Sequence, residues 1–125
     1  MYHKFHVPDA EYEVLEMLWK CGGEIKQSEL LKKLTEAGKD WKRQTLNTLI
    51  TRLEEKKLLE RENRIVKAVY SRTEYSNLQM QENIDQLYSG KISRFFASFT
   101  EQQGISKEEA EEILAIIGQH FPQES

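Results

Sequence analysis

The segment RQTLNTLITRLEEKK, residues 43–57, constrains the fold most strongly. Its apolar residues follow the i, i+3, i+4, i+7 spacing of an amphipathic helix with one buried face, and they are Leu46, Leu49, Ile50 and Leu53. The outer face carries short hydrogen-bonding side chains instead of the usual Glu and Lys, namely Gln44, Thr45, Asn47, Thr48 and Thr51, with Arg52 on the flank. Because Thr and Asn are only modest helix formers, this face indicates a use beyond solvation.

Two more helices and a hairpin are predicted around this segment. Apolar periodicity predicts helices over residues 8–20 and 26–37, each ended by glycine. Residues 65–71 have the β-branched and aromatic bias of a strand, and Asn63 suits a positive φ at a turn before them, so a short hairpin with strands near 58–62 and 65–71 is predicted. Three short helices followed by a basic hairpin predict a winged helix-turn-helix domain over residues 1–73.

Residues 74–125 are predicted to form three further helices, so the fold is mainly α with a small β-hairpin. Ser76 with Gln79, and Ser106 with Glu109, are candidate capping boxes. A region of roughly 50 residues cannot bury so much apolar surface by itself. We therefore predict a helical dimerisation domain of a two-fold homodimer, with folding back on the first domain as the alternative. The predicted dimerisation residues are Ile84, Leu87, Ile92, Phe95, Phe96, Phe99, Ile113, Leu114 and Ile117.

The charge of the chain is distributed unevenly. Residues 39–72 contain 10 Lys and Arg against 5 Asp and Glu, although the whole chain has a formal net charge of −3. A basic segment of this kind suits a phosphate-facing surface, and the second long helix of a helix-turn-helix enters the major groove of DNA. There Gln44 and Asn47 could each pair with adenine through two hydrogen bonds. The predicted DNA contacts are Lys42, Arg43, Gln44, Thr45, Asn47, Thr48, Thr51 and Arg52 in the helix, with Arg64 and Lys67 in the wing.

Three stretches carry a family resemblance: DAEYEVLEMLW, WKRQTLNTLITRLEEK and LYSGKISRFFASFTEQQGISKEEAEEILAII. In this order and spacing, from about Val7 to His120, the chain resembles the penicillinase repressor family of bacterial winged-helix regulators. The resemblance implies a homodimer, joined through its C-terminal helices, that represses promoters with dyad-symmetric operators. The chain departs from the family by having Lys42 in place of the usual Ser cap and Lys57 in place of the usual Gly. Its wing also lacks the usual glycine.

The resemblance leaves open how DNA would be released. Copper-responsive members end in clustered cysteines, which this tail lacks, so we predict no metal and no cofactor. In β-lactam-responsive members a membrane sensor protease cuts an Asn-Phe bond in the first dimer helix. The matching bond here is Ser98–Phe99, where the Phe is retained and the Asn is not, and Phe99 is equally explained as a core residue.

Other features of the sequence bear on the class of protein. A single cysteine, Cys21, no apparent signal peptide and no run long enough to span a bilayer predict a cytoplasmic protein. No nucleophile-plus-base motif or phosphate-binding glycine loop is present, and His3, His6 and His120 are scattered, so we predict no enzyme. The alternatives are a small-molecule-sensing winged-helix regulator and a winged-helix protein-interaction module, the latter disfavoured by the basic wing.

Overall fold

The computed structural model describes residues 6–121, so His3 lies outside the described residues. Its elements in chain order are α1 (Asp9–Lys20), β1 (Glu24–Lys26), α2 (Gln27–Glu36), α3 (Arg43–Glu55), β2 (Leu59–Glu62), β3 (Ile65–Ala68), α4 (Arg72–Leu87), α5 (Ile92–Gln102) and α6 (Lys107–His120). The predicted winged-helix fold, mainly α with a small hairpin, is confirmed. Backbone contacts divide the chain between Asn83 and Ile84, inside α4 and later than the predicted boundary after residue 73.

The core of the N-terminal unit is built from the apolar faces of α1, α2 and α3 and the inner face of the sheet. All four apolar residues predicted for α3 are buried in it. The whole core cluster comprises Val14, Leu15, Leu18, Leu30, Leu34, Leu46, Leu49, Ile50, Leu53, Leu58, Leu59, Val66 and Tyr75. Because one face of α3 is held by this core, its opposite face is presented to solvent.

The sheet has three antiparallel strands in the order β1-β3-β2, one strand more than the predicted hairpin. Strand β1 was not predicted because its sequence, Glu-Ile-Lys, has a single apolar residue. It is a strand because it pairs with β3, where Ile25 lies opposite Val66. The second strand of the hairpin ends at Ala68 and not at residue 71.

The turns next to the wing strands contain residues other than glycine with positive φ. Glu62 pairs with Ile65, so the wing turn has two residues, Asn63 with φ 51° and Arg64 with φ 67°. Two consecutive positive φ values are typical of a type I′ hairpin turn, and the prediction for Asn63 is confirmed. After α3, Lys57 takes φ 62°, the left-handed conformation in which glycine is usual.

Helix α4 begins earlier than predicted. The Ser71 hydroxyl accepts from the Glu74 N–H at 3.1 Å, and the Glu74 carboxylate accepts from the Ser71 N–H at 2.8 Å, which is a complete capping box. The predicted box of Ser76 and Gln79 is therefore wrong, because both residues lie inside a helix that starts as soon as the sheet ends. The other predicted cap is confirmed, since the Ser106 hydroxyl accepts from the Glu109 N–H at 3.0 Å.

Candidate nucleic-acid interface

The outer face of α3 is an uninterrupted polar surface. Seven of the predicted DNA contacts here are exposed and Thr51 is half-buried; the exposed ones are Lys42, Arg43, Gln44, Thr45, Asn47, Thr48 and Arg52. No carboxylate occurs between Arg43 and Arg52, and the first turn of the helix has none. A negatively charged polymer could therefore approach the N-terminal two-thirds of this helix without meeting like charge.

The hydroxyl group of Thr48 donates a hydrogen bond within α3. Its Oγ1 donates to the carbonyl oxygen of Gln44, one turn earlier, at 3.0 Å. This bond back to the preceding turn fixes the side-chain orientation. The methyl group and the remaining hydroxyl lone pair are what Thr48 can offer to a ligand, and these match a thymine methyl or a base amino group.

The wing is attached to α2 at its tip. The Gln27 N–H donates to the carbonyl oxygen of Arg64 at 2.9 Å, so the turn is held against the start of that helix. The side chain of Arg64 is exposed, as is that of Lys67. In the sheet register Lys67 lies between Glu24 and Glu60, whose carboxylates reduce the positive potential around it.

A basic groove lies between the starts of α2 and α3 and the wing turn. Its volume is about 590 Å³, and its lining is Lys26, Gln27, Ser28, Leu31, Arg43, Leu46, Asn63 and Arg64. Three cations around one groove beside a helix N-terminus form a surface suited to a phosphate group. Sequence reasoning found Arg43 and Arg64 but missed Lys26, because only the paired strand β1 brings it next to the wing.

Arg61 was also missed, and it connects the wing to α3. Its Nη1 donates to Asn47 Oδ1 at 2.5 Å and to Gln27 Oε1 at 3.2 Å. Its Nη2 donates to Thr51 Oγ1 at 3.2 Å and to Glu54 Oε1 at 2.9 Å. Strand alternation could have placed Arg61 on the inner face with buried Leu59, between exposed Glu60 and Glu62. The identity of its partners depends on how the strand packs against α3.

In the C-terminal unit most of the predicted dimerisation residues lie on the surface of the single chain. Phe95 and Ile113 are half-buried and Ile84 is buried. The others are exposed: Leu87, Ile92, Phe96, Phe99, Leu114 and Ile117. In α5 and α6, both within the described part of the chain, no residue is buried. Two whole helices thus keep their apolar faces open to solvent.

The Ser98–Phe99 bond lies in the middle of α5. Ser98 is half-buried, and the Phe99 ring stacks on Phe95 with centroids 5.9 Å apart. A protease that binds an extended strand would first have to unwind this helix. Cleavage at this bond stays a prediction.

Metal-ligating side chains are dispersed over the described part of the chain. Within residues 6–121, no three His, Cys, Asp or Glu side chains are grouped so as to hold a metal ion. Across the same residues, no helix combines the length and the apolar character that crossing a membrane requires.

Known proteins resemble this chain over nearly its whole length. The sequence model of the penicillinase repressor family matches residues 7–119. The methicillin resistance regulatory protein MecI of Staphylococcus aureus (strain N315) is 28% identical over 118 residues, which cover 90% of this chain and 94% of the relative. The penicillinase repressor of Bacillus licheniformis is 28% identical over 120 residues, 91% of each chain. The match extends over both units, and the chain belongs to the penicillinase repressor family of winged-helix transcriptional regulators.

Proposed function

We propose that this protein is a cytoplasmic, homodimeric transcriptional repressor that binds a dyad-symmetric DNA operator and has no enzymatic activity. The observation that carries the proposal is the exposed, carboxylate-free face of α3 from Arg43 to Arg52, next to the basic groove. Relatives named as a penicillinase repressor and as methicillin resistance regulators support it.

In the proposed complex α3 lies in the major groove. Gln44 and Thr48 are at the centre of its outer face, opposite the buried Leu46 and Ile50, and would meet the base edges. Lys42 and Arg52 flank them. The cations of the basic groove would hold a phosphate of the DNA backbone, and Arg64 would hold the wing against the same strand.

The proposed dimer rests on the apolar side chains left open at Leu87, the end of α4, and along α5 and α6. Leu87 is 71% exposed and Leu114 is 67% exposed, values that are unusual for leucines placed at helical spacing with other apolar residues. A second copy of the chain offers the same faces, so a two-fold interface would bury both sets at once. Dimerisation would also give two copies of α3, as a dyad-symmetric site requires.

The test of DNA reading starts from a random duplex library, because selection from random sequence finds an operator without assuming where it lies. Purified protein selects duplexes over several rounds, and the enriched sites are titrated by fluorescence anisotropy beside scrambled duplexes. We expect a dyad-symmetric sequence bound at least a thousandfold more tightly than the scrambled duplex, with a strong salt dependence. Failure to enrich any sequence would exclude sequence-specific repression and favour a protein-interaction module.

The test of the dimer is sedimentation velocity of Phe99→Asp and Leu114→Asp. Each places a charge on an exposed apolar face, so we expect monomers at concentrations where the parent chain is a dimer. Ala97→Asp is the matched control, because Ala97 is an exposed residue of α5 outside its apolar stripe. Dimers of all three variants would show that the interface lies elsewhere.

A further inference from the structure

Arg61 lies where the wing and α3 meet, and its side chain faces α3. It is opposite Val66 in the sheet register, and Val66 is fully buried. Its partners Asn47, Thr51 and Glu54 follow the i, i+4, i+7 spacing, so they form one flank of α3. The guanidinium thus joins the wing strand to the flank of the helix that contains a predicted base-reading residue.

The hydrogen bonds of Arg61 leave its guanidinium little capacity to bind a base or a phosphate. The two Nη atoms of an arginine carry four N–H groups, and here four acceptors on α2 and α3 face them. The Glu54 carboxylate also balances the charge at 2.9 Å. A guanidinium engaged in this way is a poor reader of guanine and a poor phosphate ligand. Arg61 is therefore a positioning residue.

The hydrogen bond from Arg61 restricts the amide of Asn47, whose side chain is exposed beside the outer face of α3. Its Oδ1 accepts from a cation at 2.5 Å, which fixes the amide with the oxygen toward the wing and Nδ2 on the other side. Two-point pairing with adenine requires the oxygen and the nitrogen of the amide together. Arg61 takes one lone pair of this oxygen and holds it toward the wing, so the group that Asn47 presents away from the wing is the Nδ2 donor. Guanine presents two acceptors, N7 and O6, in the major groove.

We propose that Arg61 determines the base preference of Asn47, by making Asn47 a hydrogen-bond donor that favours guanine over adenine. This inference rests on the proposed DNA-binding function. It differs from the adenine pairing that the sequence of α3 predicts when the helix is considered without its neighbours. It also assigns a role in specificity to a wing residue that touches no base.

The experiment compares the parent protein with Arg61→Met, which keeps the aliphatic part of the side chain and removes the guanidinium group. Each position of the selected half-site is changed to all four bases, and binding is measured by fluorescence anisotropy at two salt concentrations. We expect the parent to prefer guanine at one position and Arg61→Met to shift that preference toward adenine by roughly tenfold, with the other positions unchanged. The salt slope should stay the same, because Arg61 would contact no phosphate.

Three further variants make the test specific. Asn47→Ala should abolish the preference at that position, and adding Arg61→Met to it should cause no further change there. Arg64→Ala is the control for a phosphate contact and should weaken all sequences alike. If Arg61→Met folds poorly, Arg61→Met/Glu54→Gln removes the carboxylate left without its cation, and circular dichroism verifies the fold.

The outcomes separate the inference from the function on which it rests. If the parent protein shows no base preference at any position, the proposed function fails. If the parent shows preferences and Arg61→Met keeps all of them, or loses affinity equally for every base, the role of Arg61 is refuted while sequence-specific binding stands.

Discussion

The indole of Trp19 donates its Nε1 hydrogen to the carbonyl oxygen of Tyr70 at 2.9 Å, joining α1 to the segment that follows the wing. The same ring meets Tyr75 at the start of α4, with centroids 5.5 Å apart. The guanidinium of Arg72 lies 5.1 Å from the ring centre. Trp19 therefore holds the chain where it passes from the sheet into α4.

Trp19→Phe should lower the free energy of unfolding by about 1–2 kcal/mol, because it keeps an aromatic ring but removes the indole N–H that donates to the Tyr70 carbonyl. Urea denaturation followed by circular dichroism measures the change. Trp41→Phe is the matched control and should cost less, since a phenyl ring can still face the Lys39 ammonium, now 5.8 Å from the Trp41 ring centre. Equal costs for the two variants would contradict the role given to the indole N–H.

Lys56→Met should destabilise the protein by about 3 kcal/mol. Lys56 pairs with Glu11 at 2.5 Å, and the Glu11 side chain is only 3% exposed, so removing the cation leaves a buried carboxylate unpaired. Lys39→Met breaks a more exposed pair with Glu13 and should cost less than about 1 kcal/mol. The double variant Glu11→Gln/Lys56→Met should recover part of the loss, and thermal unfolding would show it.

Lys57→Gly should raise the free energy of unfolding by about 0.5–1 kcal/mol, because glycine adopts φ 62° without the steric cost of a Cβ atom. Lys57→Ala is the control and should bring no gain, since alanine has the same Cβ atom. Chemical denaturation of the three proteins makes the comparison. A larger gain from alanine than from glycine would mean that the charge of Lys57, and not its backbone conformation, sets the stability.

Arg64→Ala and Lys67→Ala should differ in their effect on DNA binding. Arg64 lines the basic groove, so its loss should weaken binding to every sequence and reduce the salt slope by about 1 per protomer. Lys67 lies between Glu24 and Glu60 in the sheet, so its loss should change the slope less. Titrations at four salt concentrations give both slopes, and a larger effect at Lys67 would show that DNA approaches the outer face of the sheet.

Tyr75 should make the stability fall at alkaline pH. Burial, and next the nearby Tyr12 and Glu82, raise the pKa of the Tyr75 phenol above its usual 10.0. The folded state therefore holds this proton more tightly than the unfolded state. The stabilisation is complete below about pH 10 and is lost as pH rises through the folded pKa. The loss of unfolding free energy between about pH 9 and 11 should be smaller in Tyr75→Phe, as measured by urea denaturation.

Helical periodicity was sufficient to predict the architecture, because the apolar spacing of α1, α2 and α3 is dictated by one shared core. The buried face of α3 and the turn at Asn63 followed from local patterns alone. The features that could not be predicted from the sequence depend on strand pairing and on packing between elements. Strand β1 forms only against β3, and the start of α4 at Arg72 depends on where that sheet ends.

The residues of the candidate site could likewise be predicted only in part from the sequence. The polar face of α3 could be predicted residue by residue, since the side opposite a buried face is exposed. The partners of Arg61 could not, because strand alternation indicates the direction of a side chain but not which helix lies in that direction. Lys26 was missed for a related reason, since its place beside the wing depends on the pairing of β1.

The wing tip is bonded to α2 through Arg64, and the wing strand is bonded to α3 through Arg61. Here the conformational entropy of the wing is already lost when the protein folds, so little ordering is left for the moment of binding. Encounter with DNA would then be a docking of two rigid surfaces, with an association rate governed by electrostatic attraction and not by a folding step.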